Sequence, residues 1–454
     1  MRDLAGIVKA YDIRGVVPDE LDEGVARAVG GAAVEVLDVL DGPGAVVVGH
    51  DMRPSSEPLA HAFAEGVTVR GADVVHIGLA STDQLYFASG YLGLPGAMFT
   101  ASHNPAQYNG IKLCRVGAAP VGQDTGLAEI RRLAEADSFA VATRSGAAEH
   151  RDVLADYAAY LRNLVDLSGL RPLTVVVDAA NGMAGHTVPS VLDVESMTVV
   201  PMYFELDGSF PNHEANPIDP ANLRDLQAAV VQHDADLGLA FDGDADRCFV
   251  VDERGEPVSP STLTALIAVR ELARAPGAPV VHNLITSRSV AEIVREHGGQ
   301  PIRSRVGHSF IKQTMAETGA VFGGEHSGHF YFRDFWRADS GMLAALHTLA
   351  ALGGEPAGTS LSSMLTSFER YVSSGEINTT VADQAATMSA VEAAFEGRTG
   401  VAFDHLDGLT VEHPDWWFNL RPSNTEPLLR LNAEASDRAT MVAVRDEVLG
   451  IMAG

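Results

Sequence analysis

Short runs of β-branched and apolar residues recur along the chain, each giving way to a polar, glycine-containing loop and then to a helical period. The runs Ala45–Val48, Gly96–Phe99, Thr174–Val177, Leu237–Phe241 and Pro279–His282 lead into GHDMRPS, TASHNP, DAANG, DGDADR and NLITS. Continuous rather than alternating apolar character predicts strands buried on both faces, as in parallel sheets covered by helices. Helices are predicted over Pro58–Arg70, Val153–Leu164, Asn222–Asp234 and Thr262–Ala273. This cadence defines an α/β chain, and in open α/β sheets ligands gather beyond the carboxyl ends of the strands. The polar loops occupy that position.

Periodicity breaks at 137–152, at 252–257 and at 368–378, dividing the chain into 1–150, 151–254, 255–368 and 369–454. The first three parts share one cadence and read as related units; the last has a different texture. A length of 454 residues and 46% hydrophobic content suit several buried cores, and 44 glycines suit many tight turns. Cys114 and Cys248 lie apart in apolar stretches, as buried reduced thiols do. Neither a signal-peptide core nor an apolar run of transmembrane length occurs, so a cytoplasmic location is expected.

The formal charge of −28 disfavours nucleic acid and anionic membranes as partners. It also means that an anionic substrate would need cations gathered locally.

Four loops carry candidate chemistry. In FDGDADRC, Asp242, Asp244 and Asp246 alternate, so three carboxylates converge within one tight loop, a donor set for Mg²⁺ or Ca²⁺ rather than zinc. An EF-hand is excluded by Arg247 at the position that needs glycine and by strand-like flanks. In MFTASHNPAQYNGIK, Ser102 lies just past an apolar strand, where it fits either a loop cap or a nucleophile. His103 is its neighbour, but adjacent residues seldom align as nucleophile and base, and no Gly-x-Ser-x-Gly elbow is present. Lys112 follows as a charge clamp or proton carrier. In GEHSGHFYF, downstream of GHSFIK, Glu325, Ser327 and His329 alternate, which brings a carboxylate, a hydroxyl and an imidazole near one another. In NLRPSNTEPLLRL, Arg421 offers a phosphate fork, while Ser423, Asn424 and Thr425 before a helix-like segment offer either an anion nest or a helix cap. Arg14 in KAYDIRG and Arg247 add positive charge in expected loops.

With YDIRG, TASHNP, DGDADR, GEHSGH and RPSNTEP in this order, essentially the whole chain resembles the α-D-phosphohexomutase superfamily, in its phosphomannomutase/phosphoglucomutase branch. The resemblance implies four domains around a central cleft. The first three are related α/β units with mixed, largely parallel sheets, and the fourth is a smaller α+β phosphate-binding domain. It implies a phosphoserine at Ser102 and Mg²⁺ on Asp242, Asp244 and Asp246 together with a Ser102 phosphate oxygen. Arg247 would stand beside the phosphoserine, Glu325 and Ser327 would read the sugar hydroxyls, and Arg421, Ser423, Asn424 and Thr425 would clamp the distal phosphate. Arg14, Lys112, His308 and His329 match further active-site positions. One departure stands out: where relatives often carry a lysine in a DVK segment, this chain has Ile285, with Arg288 as the candidate replacement.

The function so implied is interconversion of hexose 6-phosphate and hexose 1-phosphate, of mannose and/or glucose, through a bisphosphorylated sugar. Glucose 1,6-bisphosphate or mannose 1,6-bisphosphate would be the activator, hexose phosphates the partners, and a monomer or weak homodimer the state. The alternatives are a phosphoglucosamine mutase, a phosphatase using the same serine, and a non-catalytic phosphosugar-binding protein.

Overall fold

The computed structural model describes residues 3–140, 142–423 and 428–453. The chain divides into two compact units: Met1–Ser259 with Ser327–Met364, and Pro260–His326 with Leu365–Gly454. Among the described residues no helix is long and apolar enough to cross a membrane. Both cysteines are buried and outside any disulfide, and burial pushes the Cys248 thiol up.

In the first unit, one sheet runs in the order Ile13–Val16, Tyr108–Arg115, Gly96–Phe99, Ala45–His50, Asp73–Leu79, Ala148–His150, with Ala119–Pro120 paired beside Tyr108–Arg115. Its central strands are parallel, and the Tyr108–Arg115 strand runs antiparallel to both neighbours. A second sheet orders Pro257–Val258, Cys248–Asp252, Leu237–Phe241, Leu173–Asp178, Met197–Met202. Leu237–Phe241 is parallel to Leu173–Asp178 and forms an antiparallel hairpin with Cys248–Asp252. The aspartate loop is the turn of that hairpin, so strands flank it and the EF-hand reading is excluded structurally.

Two helices seal the first sheet, Glu23–Val36 and Ser56–Val69. Asp22 caps the former by accepting from the Val25 N–H. They approach so closely that a Cβ on Gly30 would lie 2.1 Å from the Phe63 carbonyl oxygen, and one on Gly66 2.0 Å from that of Arg27. Only glycine permits that crossing. The core beneath contains Val29, Ala33, Phe63, Val67, Val46 and Phe99.

The second unit contains the parallel strands Gln300–Ser304, Pro279–Asn283 and Phe322–Gly324, flanked by helices Pro260–Arg274, Arg288–Glu296 and His308–Thr318. It also contains an antiparallel sheet ordered Val372–Thr380, Leu428–Ala435, Trp416–Pro422, Leu409–Glu412, Ala402–Asp404. Helices Gln384–Phe395 and Arg438–Ala453 cover the latter over a core of Phe395, Phe418, Leu420, Leu431 and Val448.

All five predicted strands and all four predicted helices form, the helix at 222–234 as a short 3₁₀ turn, Pro220–Leu223, running into Arg224–Gln232. The aperiodic stretch 137–152 ends in an edge strand, Ala148–His150, whose exposure removes any hydrophobic pattern, and the stretch 368–378 runs into strand Val372–Thr380. Two expectations need correction. Arg14 sits in strand Ile13–Val16 rather than a loop. The segment after RPSNTEP is not helical: Leu428–Ala435 pairs antiparallel with Trp416–Pro422, Arg421 opposite Arg430. The apolar residues of LLRL alternate across a sheet, a period-two pattern too short to separate from a helical one.

Candidate active site

The site of the first unit is built at the carboxyl ends of two strands, where the Ser102 loop meets the aspartate hairpin. Ser102 follows strand Gly96–Phe99 and is 5% exposed, and its backbone adopts a left-handed φ of 51°. Outside glycine, Asn and Asp, such a conformation persists only when surroundings hold it. The Ser102 N–H donates to Thr100 Oγ1 at 2.9 Å. Arg53, fully enclosed, donates to the carbonyls of Ser102, Asn104, Pro105 and Tyr108 at 2.7–3.0 Å and to Asp51. A Cβ on Gly243 would lie 2.5 Å from the Ser102 carbonyl oxygen, so the aspartate loop reaches this position only with glycine there.

Ser102 Oγ donates to Asp242 Oδ2 at 2.8 Å and accepts from Arg247 Nη2 at 3.1 Å. Arg247, itself buried, also holds Asp242 Oδ2 through Nε at 2.9 Å. Burial pushes the Asp242 carboxyl up, against the pull of Arg247. Burial acts to lower Lys112, but Asp244 and Asp246 outweigh it and hold the ammonium well above its ordinary value. Its Nζ donates to Asp244 Oδ2 at 2.7 Å and Asp246 Oδ2 at 2.6 Å.

This geometry fits a divalent cation. Carboxylate oxygens of Asp242, Asp244 and Asp246 lie within 4.8 Å of one another. Asp244 Oδ1 and Asp246 Oδ1 are buried and take no hydrogen bond from any described residue. Buried carboxylate oxygens are normally satisfied, so two without a hydrogen bond in one tight loop mark the place of a cation. An all-oxygen donor set of this kind suits Mg²⁺.

The structure brings Arg14, Ser102, Lys112, Arg247 and His329 into this unit's site. Arg14 donates to Asn104 Oδ1 at 2.6 Å and pairs with Asp12. His329 holds Ser327 Oγ with Nδ1 at 2.9 Å, and its Nε2 lies 3.6 Å from Asp246 Oδ1. Ser102 and His103, although adjacent in sequence, do meet, at 3.3 Å. Extended backbone sends neighbouring side chains to opposite faces; the left-handed turn at Ser102 does not. His103 is still a poor base, because burial and the charges of Arg247 and Arg14 lower it to about 2.

His308, Glu325, Arg421 and Ser423 belong to the second unit. His308 opens helix His308–Thr318, Glu325 is buried just after strand Phe322–Gly324, and Arg421 and Ser423 lie at the end of strand Trp416–Pro422. Asn424 and Thr425 lie outside the described residues. Ile285 is buried. Arg288 does not take the place of a phosphate-facing lysine: its guanidinium is bound to the carbonyls of His413, Pro414 and Trp416.

Sequence reasoning passed over Arg53, Thr82, Asp83 and Asp339. Arg53 stood within a quoted strand-end loop, GHDMRPS, and a basic residue there was its only signal. Thr82 and Asp83 begin a helix and look like ordinary capping residues.

Descriptions of the phosphoglucomutase/phosphomannomutase family match along the chain: alpha/beta/alpha domain I at residues 5–141, domain II at 155–255, domain III at 259–371 and the C-terminal domain at 376–451. A phosphomannomutase of Escherichia coli is 41% identical over 455 residues, covering 98% of each chain. Phosphohexose mutases of Xanthomonas campestris are 41% identical over 449 residues, covering 98% of this chain and 99% of theirs. A crystal structure of a phosphoglucomutase/phosphomannomutase family protein from Burkholderia thailandensis superposes with a TM-score of 0.89 at 34% identity, covering 99% of this chain and 97% of that one. The chain belongs to the phosphoglucomutase/phosphomannomutase family, within the α-D-phosphohexomutase superfamily.

Proposed function

We propose that this protein is a phosphomannomutase/phosphoglucomutase, an isomerase-class phosphotransferase that interconverts hexose 6-phosphate and hexose 1-phosphate through phosphorylated Ser102. The observation that carries this reading is Ser102 Oγ bound between Asp242 and Arg247, in the site where Asp244 and Asp246 each keep a buried oxygen without a hydrogen bond. Mg²⁺ held by Asp242, Asp244 and Asp246 supplies Lewis-acid neutralisation of phosphoryl charge when bound.

The chain's own residues do the rest. In the forward step a sugar hydroxyl attacks phosphorus, the bond from phosphorus to Ser102 Oγ breaks, and a bisphosphorylated sugar forms. The hydroxyl proton passes to a base, and a proton returns to Ser102 Oγ. The reverse transfer from the sugar's other phosphate restores phosphoserine. Arg247 steadies Oγ as charge develops on it. Lys112, locked as an ammonium between two carboxylates, serves better as a charge clamp than as a proton carrier. His329, with Nδ1 engaged by Ser327, is the candidate to carry the proton at Nε2. Arg14 lies beside the same loop as a further cation for phosphate. His308, Glu325, Ser327, Arg421, Ser423, Asn424 and Thr425 are the candidate substrate-binding residues, on the strength of their motifs. In the same reading residues 1–150, 151–254, 255–368 and 369–454 form four domains. Glucose or mannose 1,6-bisphosphate primes the enzyme, and a cytoplasmic monomer or weak homodimer is its state.

Assays with mannose 6-phosphate, glucose 6-phosphate and glucosamine 6-phosphate, with and without the bisphosphate, test the proposal. Isomerisation of mannose or glucose phosphate is expected, with one phosphoryl group on Ser102 by intact mass. Ser102→Ala should abolish multiple turnover, and full activity in that variant would sink the scheme. Preference for the glucosamine ester would move the protein to the phosphoglucosamine branch, and rapid phosphate release without isomerisation would make it a phosphatase.

A further inference from the structure

Helix Thr82–Leu92 begins with Ser81 as its cap, accepting from the Gln84 N–H, and its first two residues are enclosed completely. Neither faces solvent, and both bind groups beyond the helix's own end. The Thr82 N–H donates to the Asp244 carbonyl at 2.9 Å, and Thr82 Oγ1 donates to Asp244 Oδ2 at 2.6 Å. Asp83 is a hub: it accepts from Ser81 Oγ, from Tyr157 OH at 2.7 Å and from Ser340 Oγ at 2.6 Å. Ser340 in turn caps helix Gly341–Gly353 and follows Asp339, whose carboxylate lies within 4.8 Å of Asp246 and His329.

The consequence falls on one oxygen atom. Asp244 Oδ2 is filled by the Thr82 hydroxyl and the Lys112 ammonium, so the carboxylate cannot rotate without losing two donors. That leaves Oδ1, buried and bare, as the oxygen presented to the cation. A ligand whose second oxygen is pinned binds with less loss of freedom than one that must be found among rotamers.

We propose that Thr82 is a positioning residue for the cation site, orienting Asp244 through its hydroxyl, and that Asp83 anchors Thr82 by tying its helix end to Tyr157 and Ser340. The proposal rests on the reading of Asp244 as a cation ligand.

The test uses the full-length protein and Mg²⁺ alone. Isothermal titration should show Thr82→Val weakening Mg²⁺ binding by about 10- to 100-fold, the range typical of groups that orient metal ligands. Thr82→Ser, which keeps the hydroxyl, should stay within about threefold of the native protein. In turnover, Thr82→Val should raise the Mg²⁺ concentration needed for half activity while leaving KM for hexose phosphate at saturating Mg²⁺ unchanged. A merely structural role predicts the same loss for Val and Ser, or a KM change, and would overturn the proposal. So would native Mg²⁺ affinity in a folded Thr82→Val. If that variant does not fold, Thr82→Ala takes its place with the same expectations. Asp244→Asn separates the two levels: unchanged Mg²⁺ binding there sinks the cation reading itself, whereas loss there without loss in Thr82→Val sinks only the role of Thr82.

Discussion

Single side chains in this protein are set by company that the chain brings from far away. His76 shows it outside the active site. It lies on strand Asp73–Leu79 in register with His150, their rings stacked at 5.1 Å, with the His61 ring at 5.2 Å. Burial first, and then the charges that His61, His150 and His50 would carry, lower His76 to about 4 from 6.5. The folded state therefore favours neutral His76, and between these values the unfolded chain binds more protons. Stability should be intact above about pH 7 and fall as pH drops through that window, by roughly 2 kcal/mol by about pH 5. Urea midpoints at the two pH values check this, and His76→Gln should flatten the difference. An unchanged slope in that variant would assign the acid sensitivity elsewhere. Ser102 and its loop follow the same rule: the sequence gives a serine after a strand, whereas Arg53 and Gly243 create the left-handed turn that exposes it to Arg247.

At the scale of elements, the strands before the polar loops were legible because burial on both faces leaves an unbroken apolar run. The edge strand Ala148–His150 was not, since an exposed strand needs only backbone pairing. The crossing of Glu23–Val36 over Ser56–Val69 was equally hidden. Gly30 and Gly66 look like weak points in two helices, and helix propensity alone predicts that alanine would stabilise both by up to about 1 kcal/mol. The contacts with the Phe63 and Arg27 carbonyls reverse the sign. Gly66→Ala should destabilise by at least about 1–3 kcal/mol, through overpacking against backbone that cannot move aside. Thermal melting decides between the two, and a raised melting temperature would show that the helices part without penalty.

For the whole molecule, a charge of −28 makes the gathering of Arg14, Lys112 and Arg247 around one serine significant. Buried carboxylates without enough cations store repulsion, and a bound divalent ion relieves it. Mg²⁺ at about 100 times its dissociation constant should therefore stabilise the fold by about 2.7 kcal/mol. Chelation should lower the melting temperature and Mg²⁺ restore it, while sodium chloride of equal ionic strength should reproduce only the general screening part. Loss of this difference in Asp244→Asn would tie it to the aspartate loop; its persistence there would place the cation elsewhere.

By itself the sequence determined the α/β class, the five strand-to-loop junctions and the identity of the groups offered to chemistry, because apolar runs, turn residues and closely spaced carboxylates are local properties. Tertiary structure decided which atoms of those groups remain for use. Lys112 and Thr82, 132 and 162 residues from Asp244, occupy its Oδ2 and leave Oδ1 bare, and Arg247, 145 residues from Ser102, reaches its Oγ. Hydrogen-bond geometry is fixed to tenths of an ångström, and no one-dimensional spacing carries that information across such separations.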